Sequence, residues 1–190
     1  MSKRLMVVLL AVFVLCAMGL PVFAGGQGEQ AEDGGEIYIP VISKGFQHQF
    51  WQTVMSGAEA AGEDLGVDMV FEGPTSEAAI QEQVQMLQNA LAKDPDAIAL
   101  AALDTNSVMD QLNEAVRRDI PIIGFDSGVP NAPEGAIYAN AATDNYAAAG
   151  MAAEKMYEDL ADELKAATPS SPVTLVVVSQ DATSESVTKR

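Results

Sequence analysis

The sequence predicts an α/β protein built on a doubly wound parallel sheet. Three observations point to it. Short β-branched apolar runs recur along the chain from Ile37 to Val178. Between them lie segments whose apolar residues fall three and four apart, the spacing of one helix face. The runs are apolar throughout rather than alternating, as expected for strands covered on both faces. Strands that alternate with helices form right-handed βαβ units, and their strands lie parallel.

The elements follow in order. Residues 37–43 form a β-branched run and predict the first strand. Val54, Ala58, Ala61 and Leu65 stripe the helix that follows, and Gly66 is placed to cap it. Residues 67–71 predict a second strand, broken by Gly73-Pro74. Ile80, Val84, Leu87 and Leu91 mark a second helix, which Pro95 closes off. Residues 97–103 predict a third strand, and Val108, Leu112 and Ala115 a third helix. Residues 120–125 predict a fourth strand and 136–140 a shorter fifth. A long helix is expected over 145–164, and a sixth strand over 173–178.

The first 24 residues differ in kind. Lys3 and Arg4 precede an uncharged apolar run, Pro21 breaks it, and Val22-Phe23-Ala24 precedes Gly25. This is the layout of a signal peptide, so 1–24 is expected to be a leader. A retained anchor is the alternative, but the run is short for a membrane span. A lipoprotein start at Cys16 would want a small residue before it, and Leu15 stands there. Residues 25–36, rich in Gly, Gln, Glu and Asp, read as a flexible tether. The last residues, Lys189 and Arg190, fall where a helix should be starting, so a fragment or truncated reading frame is expected.

Composition limits function. Of 190 residues 48% are hydrophobic and 19% charged, so whole-chain disorder is ruled out. The net charge of −17 argues against binding nucleic acid or anionic membrane through bulk charge. Cleavage after Ala24 would remove two basic residues and Cys16, the single cysteine. No thiol would then remain for a disulfide, a thiolate metal site or a nucleophile. His48 is the one histidine, which makes a metal site improbable. The Gly-rich dinucleotide and phosphate loops and the G-x-S-x-G elbow are missing from the sequence. No cofactor is expected.

In an open α/β sheet a ligand sits outside the carboxyl ends of the strands. That rule selects the loop 44–51 after the first strand, Asp104 after the third, and Asp126 with Ser127 after the fourth. The first loop carries Phe46, Phe50 and Trp51 in a chain that is 6% aromatic. Aromatic faces stack on sugar rings, and carboxylates and amides bond hydroxyls. Each residue also has a plainer reading. Phe46 can be core, and either Phe50 or Trp51 can pack beneath the loop. Asp104 directly precedes a helix and can be a turn residue or its cap. Asp126 precedes Ser-Gly-Val-Pro, where a cap explanation is weaker. A hydrolytic carboxylate pair, Asp104 with Asp126, is conceivable only if the two face each other.

The run from Lys44 to Gln52 with Gly57-Ala58 resembles the opening of type I periplasmic solute-binding proteins. The likeness is to the ribose- and galactose-binding branch that serves ABC sugar importers. The segments 89–97, 120–127 and 142–145 match that family in order and spacing. The resemblance implies two lobes joined by a hinge, with solute between them. Residues 37–143 would be the first lobe, mostly present, and 144–190 the incomplete start of the second. It also implies that Phe50 and Trp51 sandwich the sugar, that His48 and Asp126 contact its hydroxyls, and that Arg190 reaches it after Thr183-Ser184. Ser127 stands where ribose-binding members carry Arg, which speaks against ribose itself. Asp104 is kept as a further ligand candidate.

The implied function is an exported component of an ABC transporter, in the periplasm or cell envelope. It would bind a monosaccharide or polyol and deliver it to permease subunits, with no catalysis and no nucleic acid. The competing readings are a receptor for a sugar-like signal and an exported sugar hydrolase. A LacI-type repressor of the same fold would need a helix-turn-helix where the leader stands.

Overall fold

The computed structural model describes residues 36–190. The expected leader, and all of the tether except Glu36, lie outside the described residues. Five strands form one sheet: β1 (Tyr38–Ile42), β2 (Asp68–Glu72), β3 (Ile98–Leu100), β4 (Ile122–Phe125) and β5 (Ile137–Ala141). Their order is β2-β1-β3-β4-β5, and every neighbouring pair is parallel. The doubly wound reading is therefore correct. The winding reverses between β1 and β3, which puts the crevice at their carboxyl ends.

The helices are α1 (Gln49–Leu65), α2 (Ile80–Leu91), α3 (Met109–Arg117), α4 (Asn145–Asp159), α5 (Ala161–Ala166) and α6 (Glu185–Thr188). α2 and α3 pack on one face of the sheet. Leu87 and Leu91 from α2, with Leu112 and Ala115 from α3, meet Ile42, Ile98, Leu100 and Ile122 in the core. These include the positions that the helical stripes selected. α1 keeps less of its stripe inside: Val54 and Ala58 are half-buried, while Ala61 and Leu65 are exposed. Gly66 caps α1 as expected, at φ 65°, where a side chain would be strained.

Gln83 is a buried polar residue of the core face that the apolar pattern passes over. Its amide nitrogen donates to Ser43 O (2.9 Å) and Ala101 O (2.8 Å), and its Oε1 accepts from Leu103 N (2.9 Å). The amide thus satisfies backbone groups where β1 and β3 run out of sheet partners. This places the ends of both strands against α2.

Two expectations need correction. The long helix breaks at Leu160 into α4 and α5. The sixth strand does not form: residues 173–178 carry no strand pairing, and Val176, Val177 and Val178 are exposed. A β-branched run becomes a strand only when a neighbour satisfies its backbone groups. Among the described residues none does so here.

Candidate binding crevice at the strand ends

Lys44 follows β1, and its side chain turns inward, 5% exposed. Its ammonium lies 2.8 Å from Asp126 Oδ2, 3.0 Å from Ser127 Oγ and 3.0 Å from Ser186 Oγ. Asp126 and Ser127 follow β4, so the parallel register brings these groups together from 82 residues apart in the case of Lys44 and Asp126. Asp126 has φ 55°, and the Ser127 N–H donates to Phe125 O around it. This is a γ-turn with its centre in the left-handed region. Ser127 is buried, with its Oγ 2.7 Å from Ser186 Oγ and 3.3 Å from Asp126 Oδ2. Lys44 stands in the sequence only as the first residue of the aromatic loop. A lysine closing an apolar strand run was the available signal, because a charge there must find a partner or leave the core.

The aromatic pair separates. Trp51 is 2% exposed, and its Nε1–H donates to Glu77 Oε1 at 2.7 Å. Phe50 is 47% exposed. The two rings meet edge to face, 4.8 Å apart at 79°, and Trp51 meets Phe125 in the same way at 6.3 Å. The sandwich that the resemblance implies is absent from this structure. Trp51 packs beneath the loop, with Lys44 Nζ 5.9 Å from its ring centre, while Phe50, like Phe46 earlier in the loop, offers its ring to solvent. On a helix, adjacent residues point about 100° apart, so the first residues of α1 cannot easily share one face.

Of the candidates, Phe50, Trp51, Asp126 and His48 divide between two cavities, and Asp104, Ser127 and Arg190 line neither. Phe50 and Asp126 line one of about 370 Å³, with Val54, Phe125 and Thr143. His48 lines another of about 250 Å³, with Phe46, Trp51, Glu77 and Gln180. His48 is exposed and caps α1, its Nδ1 accepting from the Phe50 N–H at 3.1 Å. Asp104 takes its plainer role. It is buried, and its Oδ1 accepts from Asn106 N (2.9 Å) and Ser107 N (2.7 Å) in the turn before α3. Burial pushes the Asp104 carboxyl up, but hydrogen bonds from Ser107, Asn106 and Thr183 outweigh it and hold the group below the usual carboxylate range. The turn thus commits Oδ1 of this carboxylate to backbone N–H groups. Arg190 donates from Nε to Asn145 Oδ1 at 2.9 Å, and Asn145 is the buried first residue of α4. Among the described residues there is no cluster of three potential metal ligands.

The crevice therefore brings together Lys44, Asp126, Ser127 and Phe50. A family model described as a periplasmic binding protein domain matches residues 39–190. A solved structure from Brachyspira murdochii, described as an ABC transporter, LacI family transcriptional regulator, is 43% identical with a TM-score of 0.70, over 78% of this chain and 46% of that one. A carbohydrate transporter solute binding protein from Agrobacterium radiobacter, in complex with D-arabinose, is 32% identical with a TM-score of 0.68, over 82% and 50%. An ABC transporter solute binding protein from Agrobacterium vitis with bound D-fucose is 36% identical with a TM-score of 0.62, over 65% and 43%. This chain spans about half the length of the structures it matches. The match over residues 39–190 and the shared parallel sheet mean that the chain belongs to the periplasmic binding protein family, with its type I fold.

Proposed function

We propose that this chain is the solute-binding component of an ABC importer, exported to the periplasm or cell envelope behind the leader 1–24. Its solute is a monosaccharide or related polyol. The observation that carries this reading is the crevice itself, where the carboxylate of Asp126 stands at the strand ends beside the exposed ring of Phe50. A carboxylate accepts strongly from sugar hydroxyls, and an aromatic face stacks on the C–H face of the ring. The D-arabinose and D-fucose named for two similar structures support a neutral sugar.

In this reading the protein performs no chemistry. Solute held between the first lobe, 37–143, and a second lobe beginning at 144 favours the closed arrangement, which the permease reads. Asp126 serves the hydroxyls of the solute beside Phe50, His48 reaches it from the second cavity and Arg190 from the chain's end, while buried Ser127 holds Lys44 and Asp126 from behind. Phe50 serves its face, Trp51 supports Phe50 from beneath, and Asp104 shapes the neighbouring loop.

A thermal-shift screen of neutral aldoses, ketoses and polyols on the intact protein tests the reading. A solute at a hundred times its Kd stabilises the native state by about 2.7 kcal/mol. The expected result is a rise in Tm confined to one class of sugar, which is then recovered unchanged. Release of the free sugar from an aryl glycoside of it would favour the hydrolase instead. A flat response across all sugars would sink the reading.

A further inference from the structure

Segment 181–188 is seated on the ends of β1 and β4, far from it in sequence. Asp181 organises the turn that leads there. Its Oδ1 accepts from Thr183 N and Ser184 N, each at 2.9 Å, and both its oxygens lie within hydrogen-bond reach of Ser184 Oγ. Ser184 and Ser186 are buried as a result. Glu185 Oε2 accepts from Gly128 N at 2.6 Å, and Ser186 Oγ meets both Lys44 Nζ and Ser127 Oγ.

The valence of Lys44 decides what it does. An ammonium has three N–H groups. Asp126 Oδ2, Ser127 Oγ and Ser186 Oγ account for all three. Two of these partners belong to the end of β4, and the third belongs to α6. A buried ammonium that loses a partner is costly, because water cannot replace the missing acceptor without entry into the site. The segment's docking and the carboxylate's setting are therefore tied through one atom.

We propose that Lys44 is a positioning residue with two linked tasks. It holds the Asp126 carboxylate in place on its left-handed turn. It also couples that carboxylate, through Ser186, to the docking of segment 181–188. Movement of the segment alters the setting of Asp126, and the reverse holds by linkage. This inference goes beyond solute binding and does not depend on it, since every contact in it joins two groups of this chain.

Amide hydrogen exchange read residue by residue, on the intact protein and without sugar, tests it. The reporters are Gly128 N–H, which donates across the contact, and Thr188 and Lys189 N–H within α6. Ser186→Ala is expected to speed exchange at these amides by about tenfold, as for loss of one charge-assisted hydrogen bond. Amides of β1 and β3 should keep their wild-type rates. Lys44→Met should act on the same amides, and the double variant should add nothing further. Ser186→Thr, which keeps the hydroxyl, should restore protection. If Lys44→Met fails to fold, Ser186→Ala and Ser186→Thr still decide, because both leave the Lys44–Asp126 pair intact. Wild-type exchange at Gly128 in Ser186→Ala would overturn the proposal. So would strict additivity in a folded double variant, which would mean that Lys44 and Ser186 act separately. A failure of every sugar to bind would leave these rates unchanged, so the two readings fail independently.

Discussion

Replacing Trp51 with alanine removes the largest of the fully buried side chains and leaves Glu77 without its indole donor. The expected cost is about 3–5 kcal/mol of folding stability, the range for deleting a core aromatic. Urea unfolding of Trp51→Ala checks this. Trp51→Phe keeps most of the packing and should cost about 1–2 kcal/mol, mainly for the lost hydrogen bond and the volume. Phe50→Ala should do the opposite, with little change in unfolding and a loss of about 1 kcal/mol or more in sugar affinity by calorimetric titration. The neighbours differ because Phe50 is 47% exposed and Trp51 only 2%. Equal effects of both variants on affinity, with no effect on stability, would restore the sandwich.

Among the elements, 173–178 is the one whose sequence and environment disagree. Thr174 to Val178 is rich in β-branched residues, carries no charge and has no paired neighbour among the described residues. Val177 is 92% exposed. An uncharged, exposed run of this kind favours pairing between chains. This 190-residue chain should therefore self-associate as its concentration rises, and Val177→Lys should suppress this in light scattering while changing folding stability by no more than about 0.5 kcal/mol. A scattering curve that the lysine does not move would place the association elsewhere. α4 shows the same imbalance more mildly, with Met151, Met156 and Tyr157 exposed along it.

At the scale of the whole molecule, one amide and two carboxylates hold the strand ends and their loops together. Gln83→Leu keeps the size but strands Ser43 O, Ala101 O and Leu103 N without their partner. The expected loss is about 3 kcal/mol, against near neutrality for an exposed substitution on α2 such as Gln85→Leu. Acid should act through Asp104 and Asp181. For Asp181 too, burial raises the carboxyl, but hydrogen bonds from Ser184 and Thr183 and the charge of Lys44 lower it further, below its ordinary value of 3.8. A carboxyl depressed in the folded state adds stability above its unfolded value and loses it as pH falls through the folded one. Tm should therefore be insensitive to these two groups from neutral pH down to about 4 and decline below that. The decline should be shallower in Asp181→Asn, which starts from a lower Tm. A wild-type acid limb in that variant would show that Asp181 does not contribute.

The alternation of apolar runs and helical stripes by itself determined the parallel sheet, because covered strands must be apolar on both faces and each crossover needs one amphipathic helix. Leu87, Leu91, Leu112 and Ala115 were legible as core for the same reason, and the strand ends were legible as the place for a crevice. Which side chains line that crevice or pack behind it was decided only by the tertiary structure. Phe50 and Trp51 are equivalent as letters, yet the turn of α1 exposes one ring and sends the other onto Phe125 and Glu77. Asp104 and Asp126 both follow strands, yet one bonds its own turn through Oδ1 and the other pairs with Lys44. Lys44, Gln83 and Ser186 gave no periodic signal, since each acts through partners brought near by the fold. The run 173–178 has the composition of a strand, but a strand is a relation between two segments, and pairing cannot be read from one of them.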